Sequence, residues 1–418
     1  MSSQSANLRS RHGFTLLELL TVIAVIATLT SITLLVMNGI TDNALREATK
    51  TTVQKINGLL QQRVESFDRA FKNERREAAI RNVRVVLETA IVQATGAPVS
   101  LEDESAVGIL AKKHEFRFQF PQRVQDRLNA PNLRDPMATG PGLNADGLPT
   151  SLYENIAFPV ARTQLITETG ENPSVAEVNA RVNANWENHD RNTESAELLY
   201  FALLRSENFG SSVASADQFS STEITDTDND GLPEFVDAWG NPLQFYRWPT
   251  RLVDPDSPFP FGPVLFGQND PTDTRQVTSD ERRVASHLLK GLPPSPGTIS
   301  GVTQREYLLV DPDDPIGLLY TFLENPRYSN MGVTLVDYIN EDSFHTVDTY
   351  HTPLIVSAGV DGITGLYEPW RADPGKYGTL AQPDGTNFVS GTTLPASEVE
   401  DAMLDNITNR NRRAGGRR

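Results

Sequence analysis

Cysteine is absent from the 418 residues. That excludes disulfides, cysteine-ligated zinc and thiol catalysis. A chain exported without disulfides needs another source of stability, and a bound metal is one candidate. Basic residues are outnumbered, with 37 Lys and Arg against 54 Asp and Glu and a net charge of −17. This balance is unsuited to binding a phosphate backbone, so no nucleic-acid partner is expected. The six histidines are scattered: His12, His114, His189, His287, His345 and His351. No H-E-x-x-H pair, G-x-S-x-G elbow or Walker A loop is present, and no catalytic residue is assigned. Long apolar runs are also missing, with one exception at the N-terminus.

That exception is Phe14–Met37, whose only charge is Glu18. As a helix it would be about 36 Å long, enough to cross a hydrocarbon core of roughly 30 Å. Arg9 and Arg11 precede it and no acid does, which places the short leader in the cytoplasm. A signal peptide would end on a small-residue cleavage site, and no A-x-A pattern follows Met37. A plain anchor explains the length but not Glu18, because a lone carboxylate in lipid costs about 2.5–3.5 kcal/mol on insertion scales.

Gly13-Phe14-Thr15-Leu16-Leu17-Glu18 resembles the processing signal of type IV prepilins and type II secretion pseudopilins. The resemblance implies cleavage by a prepilin peptidase between Gly13 and Phe14, and methylation of the new Phe14 amine. It also implies that Glu18 pairs with the N-terminal amine of a neighbouring subunit, an interaction that is strong in a low-dielectric medium. Many members of that family carry a proline within the apolar run, and this chain has none between Phe14 and Met37.

Beyond the run the pattern stays helical. Val53, Ile56, Leu60, Val64, Phe67 and Phe71 recur every three or four residues, as do Ile80, Val83, Leu87 and Ile91, and Gly96 is a stop signal. One straight helix from Phe14 to Thr95 would be about 120 Å long, so a break is expected between Ser66 and Asn73, with the second helix folding back. Phe116, Phe118 and Phe120 alternate like a strand, and "SAELLYFALL" (195–204) reads as a buried helix. No chemistry is assigned to 97–220.

The stretch "DTDNDGLPEFVDAWGNPLQFYRW" (226–248) concentrates acids. Counted from Asp226, the residues Asp226, Asp228, Asp230, Gly231, Glu234 and Asp237 fall at positions 1, 3, 5, 6, 9 and 12 of a calcium loop. Leu232 would add its backbone carbonyl at position 7. Position 12 is Asp where a longer Glu is usual, and Pro242 interrupts any helix after the loop. The alternative is a solvated Asp/Asn turn with no ion.

Two further segments resemble the major pseudopilin of type II secretion. "DAWGNPLQFYRW" is similar to that family's Asp-Pro-Trp-Gly-Asn-Pro-Tyr-x-Tyr segment, with Ala238 and Leu243 departing from it. Gly240-Asn241-Pro242 is a turn and Leu243–Trp248 a strand. Ser357, Gly359, Asp361, Gly362 and Gly365 match the family's closing Ser-x-Gly-x-Asp-Gly-x-x-Gly segment, with Leu354–Val356 as the preceding strand. The resemblance implies a second calcium site there through Asp361, with Glu368 the nearest further acid; a glycine-rich turn without an ion is the alternative.

The expected fold is α+β and pilin-like: a long N-terminal transmembrane and amphipathic helix packed on a C-terminal antiparallel β-sheet, with loop-rich insertions. Its parts are a leader (1–13), a transmembrane or filament-core helix (14–37), an amphipathic helical region (38–96), an insertion (97–220), a β region with candidate calcium loops (221–370) and a flexible basic extension (371–418). The implied function is a structural subunit of a pseudopilus or pilus-like filament, anchored in the inner membrane with a periplasmic head. Its partners would be the prepilin peptidase, other pilin or pseudopilin subunits, the inner-membrane assembly platform and membrane lipid, with calcium as cofactor. The rival is a membrane-anchored binding protein or adhesin that never polymerises.

Overall fold

The first apolar stripe forms the end of a very long helix. In the computed structural model, α1 runs Leu16–Ala70. The structure describes residues 16–96, 104–123, 151–205, 216–247, 353–366 and 405–410, together with 313, 318 and 322. The chain divides into two units, Met1–Glu47 and Ala48–Arg418.

In the first unit α1 exposes its apolar side chains: Leu16 is 82% exposed and Leu29 58%, and the large residues between them are similar. Among the described residues no helix is long and apolar enough to cross a membrane. The span expected over Phe14–Met37 includes Phe14 and the side chains of 32–37, which lie outside the described residues.

In the second unit the stripe of α1 is core. Val53, Ile56, Leu60, Phe67 and Phe71 pack with residues from the elements below, and Val64 is only partly buried. The helix stops at Ala70, within the interval where a break is expected. Asn73 takes a left-handed φ of 51°, a conformation that asparagine tolerates better than most residues. α2 (Asn73–Thr95) then ends on Gly96, whose φ of 70° and N–H to the Val92 carbonyl make a left-handed cap. Ile80, Val83, Leu87 and Ile91 of α2 are all buried, against Ala106, Val107, Leu110 and Ala111 of α3 (Glu104–Gln119).

α3 corrects the strand expected at Phe116–Phe120. Residues 116 and 120 lie four apart, so a helix also places them on one face. There they meet Phe67, with ring centroids at 5.3 and 6.5 Å. Phe118 points elsewhere and meets His114 edge-on. An alternation of only three aromatics fits both periods, and the aromatic cluster around Phe67 favours the helical one.

α4 (Ser151–Thr169), α5 (Val175–Trp186) and α6 (Arg191–Leu204) follow. A reciprocal Ser174–Glu177 capping box starts α5. α6 holds the buried helix expected at 195–204. It packs on β2 (Glu234–Phe235) and β3 (Gln244–Tyr246). β1 (Ile224–Thr225) pairs with β2, with Thr225 opposite Glu234, so the acidic loop is the tip of a short hairpin. β3 pairs antiparallel with β4 (Leu354–Ser357), and β4 with β5 (Ile407–Thr408). β5 and the buried Asn406 and Asn409 lie in the stretch read as a flexible tail. They are ordered because β4 offers them a second edge.

Candidate metal centre

The hairpin tip is organised by its own aspartates. Asp226 Oδ2 accepts from Gly231 N at 3.0 Å, Asp228 Oδ1 from Asp230 N at 3.1 Å and Asp230 Oδ1 from Leu232 N at 2.6 Å. Asn229 and Gly231 take positive φ, 64° and 89°, which lets the chain turn this tightly. Glu234 closes the loop from β2, accepting Thr227 N through Oε1 at 2.6 Å.

The remaining oxygens of Asp228 and Asp230 face the junction between α5 and α6. Asp228 Oδ2 accepts Asp190 N at 2.8 Å, at the N-cap of α6. Asp230 Oδ2 lies 2.7 Å from His189 Nδ1. Glu197, about two turns into α6, places Oε2 3.6 Å from the same nitrogen. Thr193 Oγ1 sits between Asp228 Oδ2, at 3.1 Å, and Glu197 Oε1. His189, Glu197, Asp228 and Asp230 thus offer four ligand atoms that all lie within 4.8 Å of one another.

The electrostatics are those of crowded, desolvated acids. Burial, and then the charge of Asp230, pushes Asp226 up to about 6. Burial raises Glu234 to about 7, with Asp228 and Asp226 adding to it against the Thr227 donor. Glu197 is pushed well above its ordinary range, first by burial and then by Asp230. Burial also raises Asp230, although His189 pulls the other way. His189 itself is raised: burial opposes its charge, but the bond to Asp230 and the charges of Glu194, Asp230 and Asp228 prevail. Among the described residues around this loop, the buried oxygens Asp226 Oδ1, Glu234 Oε2 and Glu197 Oε2 have no hydrogen-bond partner. Of the acids expected in the loop, Asp228 and Asp230 belong to the group of ligand atoms that come together with His189 and Glu197, and Asp226, Glu234 and Leu232 are not in that group.

Asp237 has a different role. Its Oδ1 accepts Trp239 N and Asn241 N, both at 2.9 Å, and its Oδ2 accepts Ser357 Oγ at 2.7 Å. It thereby joins the two segments that resemble pseudopilins, across more than 100 residues of chain, and the Asn241 amide adds a bond to the Gly359 carbonyl. Asp361 is exposed and caps its own turn, accepting Ile363 N at 2.9 Å. Glu368, Gly13 and Phe14 lie outside the described residues, and so does the side chain of Glu18, which is itself in α1. His189 and Glu197 carry no signal in the sequence. They belong to a region with no spacing signature, and only the packing of α6 on β2 brings them to the loop.

The family model described as a prokaryotic N-terminal methylation motif matches residues 8–34. The chain carries a prepilin-type N-terminus. This motif is typical of type IV pilin and pseudopilin precursors. It implies processing by a prepilin peptidase, membrane anchoring and pilin-type assembly in general. No curated protein and no solved structure matches the chain.

Proposed function

We propose that this chain is a prepilin-type structural subunit that polymerises into a periplasmic pilus-like filament, with the pseudopilus of a type II secretion system as the leading assignment. The observation that carries the reading is the methylation motif at residues 8–34, continuous with a helix whose apolar side chains stand exposed from Leu16 to Leu29. Such a surface needs lipid or other helices around it. Before assembly the inner membrane covers it; in the filament, other copies do. Glu18 takes the neighbour's Phe14 amine as its partner and sets the axial register. The head is tied by a divalent cation at the hairpin tip.

Mass spectrometry of the mature chain tests the processing step. A chain beginning at Phe14 with a methylated amine is expected; an intact Met1 contradicts the reading. Glu18→Ala tests assembly: filaments are expected to disappear while anchoring and head folding persist. Unchanged filaments would remove the assigned role of Glu18. A processed wild-type chain that stays monomeric would favour the anchored binding protein.

A further inference from the structure

We propose that His189, Glu197, Asp228 and Asp230 form a mixed nitrogen–oxygen site that takes a divalent transition-metal ion of the zinc class in preference to calcium. The inference rests on the cation reading of the hairpin tip and names the ion and the ligands that this reading leaves open.

Two independent observations meet here. The first is the cluster: one imidazole and three carboxylates, with ligand atoms within 4.8 Å of one another. Calcium takes oxygen ligands, whereas imidazole suits zinc and its neighbours in the first transition row. The second is Glu197. Its residue is 3% exposed, and its Oε2 has no hydrogen-bond partner although it faces His189 Nδ1 at 3.6 Å. An apolar side chain at that position of α6 would have filled the space without leaving an acid to neutralise.

Four protein ligands also match the coordination number of structural zinc. Glu197 also lines a cleft of about 690 Å³ framed by α4 and α6. Bound there, the ion would tie α6 to the β1–β2 tip, joining the region 97–220 to the sheet-bearing part of the head.

The test uses the full chain, purified in detergent and stripped with chelator. Zinc and calcium are titrated separately by calorimetry. Trp186 fluorescence serves as a local reporter, since its ring stacks on His189 at 4.7 Å. The expected result is one zinc per chain, at least about 100-fold tighter than calcium, with a loss of about 100-fold in His189→Ala and in Glu197→Gln. Glu197→Gln keeps the side-chain shape, so a folded variant is available even if His189→Ala unfolds. Cobalt substituted for zinc is expected to give the visible absorption of a tetrahedral ion. Calcium binding that is tight, indifferent to His189→Ala and lost in Asp226→Asn would overturn the inference and leave an oxygen-only calcium loop standing. Zinc binding indifferent to both α6 variants would overturn it as well. If neither ion binds, the inference and the cation reading of the loop fall together.

Discussion

Buried carboxylates in the head differ in how far their oxygens are satisfied. Asp237 has donors for both oxygens, two backbone amides and the Ser357 hydroxyl. Glu234 has a donor for one oxygen only, and its other oxygen is an orphan. Its pKa, raised to about 7 by burial, therefore costs stability in the ion-free chain. Between about 4.5 and about 7 the folded state holds a proton that the unfolded state has released. Stability from this group is thus lost as pH rises through that window, with the full penalty above it. Glu234→Gln removes the penalty. In chelator at pH 8 the variant is expected to be more stable than wild type by about 1–2 kcal/mol, after allowance for solvent screening, and equal to it at pH 4. Urea unfolding at the two pH values measures this difference. A variant no more stable at pH 8 would mean that Glu234 is not desolvated. Asp226, Asp228 and Asp230 were legible because their alternation with a following glycine is local. Glu197 and His189 were not, because nothing in the chain around them marks them for a loop roughly 30 to 40 residues away.

At the scale of elements, β4 is the hub of the sheet. It pairs with β3 on one side and β5 on the other. Asn409 fastens the second pairing: its Oδ1 accepts Ile355 N at 3.0 Å, while its amide donates to the Pro353 carbonyl and to Asn57 of α1. Asn409→Ala would leave the buried Ile355 N–H without its acceptor. A loss of about 1–3 kcal/mol is expected, read as a lower melting midpoint of the head; no change would show that this strand is dispensable. The helical stripes of α1 and α2 were legible because apolar residues repeating every three or four positions over several turns share one face of a helix and would scatter over both faces of a strand. β3 was marked by the Gly240-Asn241-Pro242 turn before it, and β4 by the resemblance of the segment that follows it to the pseudopilin closing segment. β5 was not, because two residues carry no periodicity and pair only where another strand already waits.

At the scale of the molecule, the two units differ in what covers their apolar side chains. The large apolar residues of 16–29 are exposed, while those from Val53 onward are buried inside the second unit. A fragment beginning near Asp42 keeps every residue of that core. It is expected to fold and to remain monomeric without detergent, whereas the full chain needs detergent or assembles. Size-exclusion chromatography with light scattering distinguishes the two cases. A fragment that aggregates would show that the head depends on the first apolar turns of α1.

The sequence by itself determined the N-terminal signal, the long helices with their break and caps, and an acidic loop with turn chemistry. Each is written in neighbouring residues, where spacing and local backbone preference suffice. The tertiary structure decided which acid serves which purpose. It sent Asp237 to clamp two distant turns and brought His189 and Glu197 to the loop. It also carried a helix through Phe116 and Phe118 and drew Ile407–Thr408 into the sheet. These outcomes depend on burial and on partners far away in the chain, and distance along the chain carries no information about them.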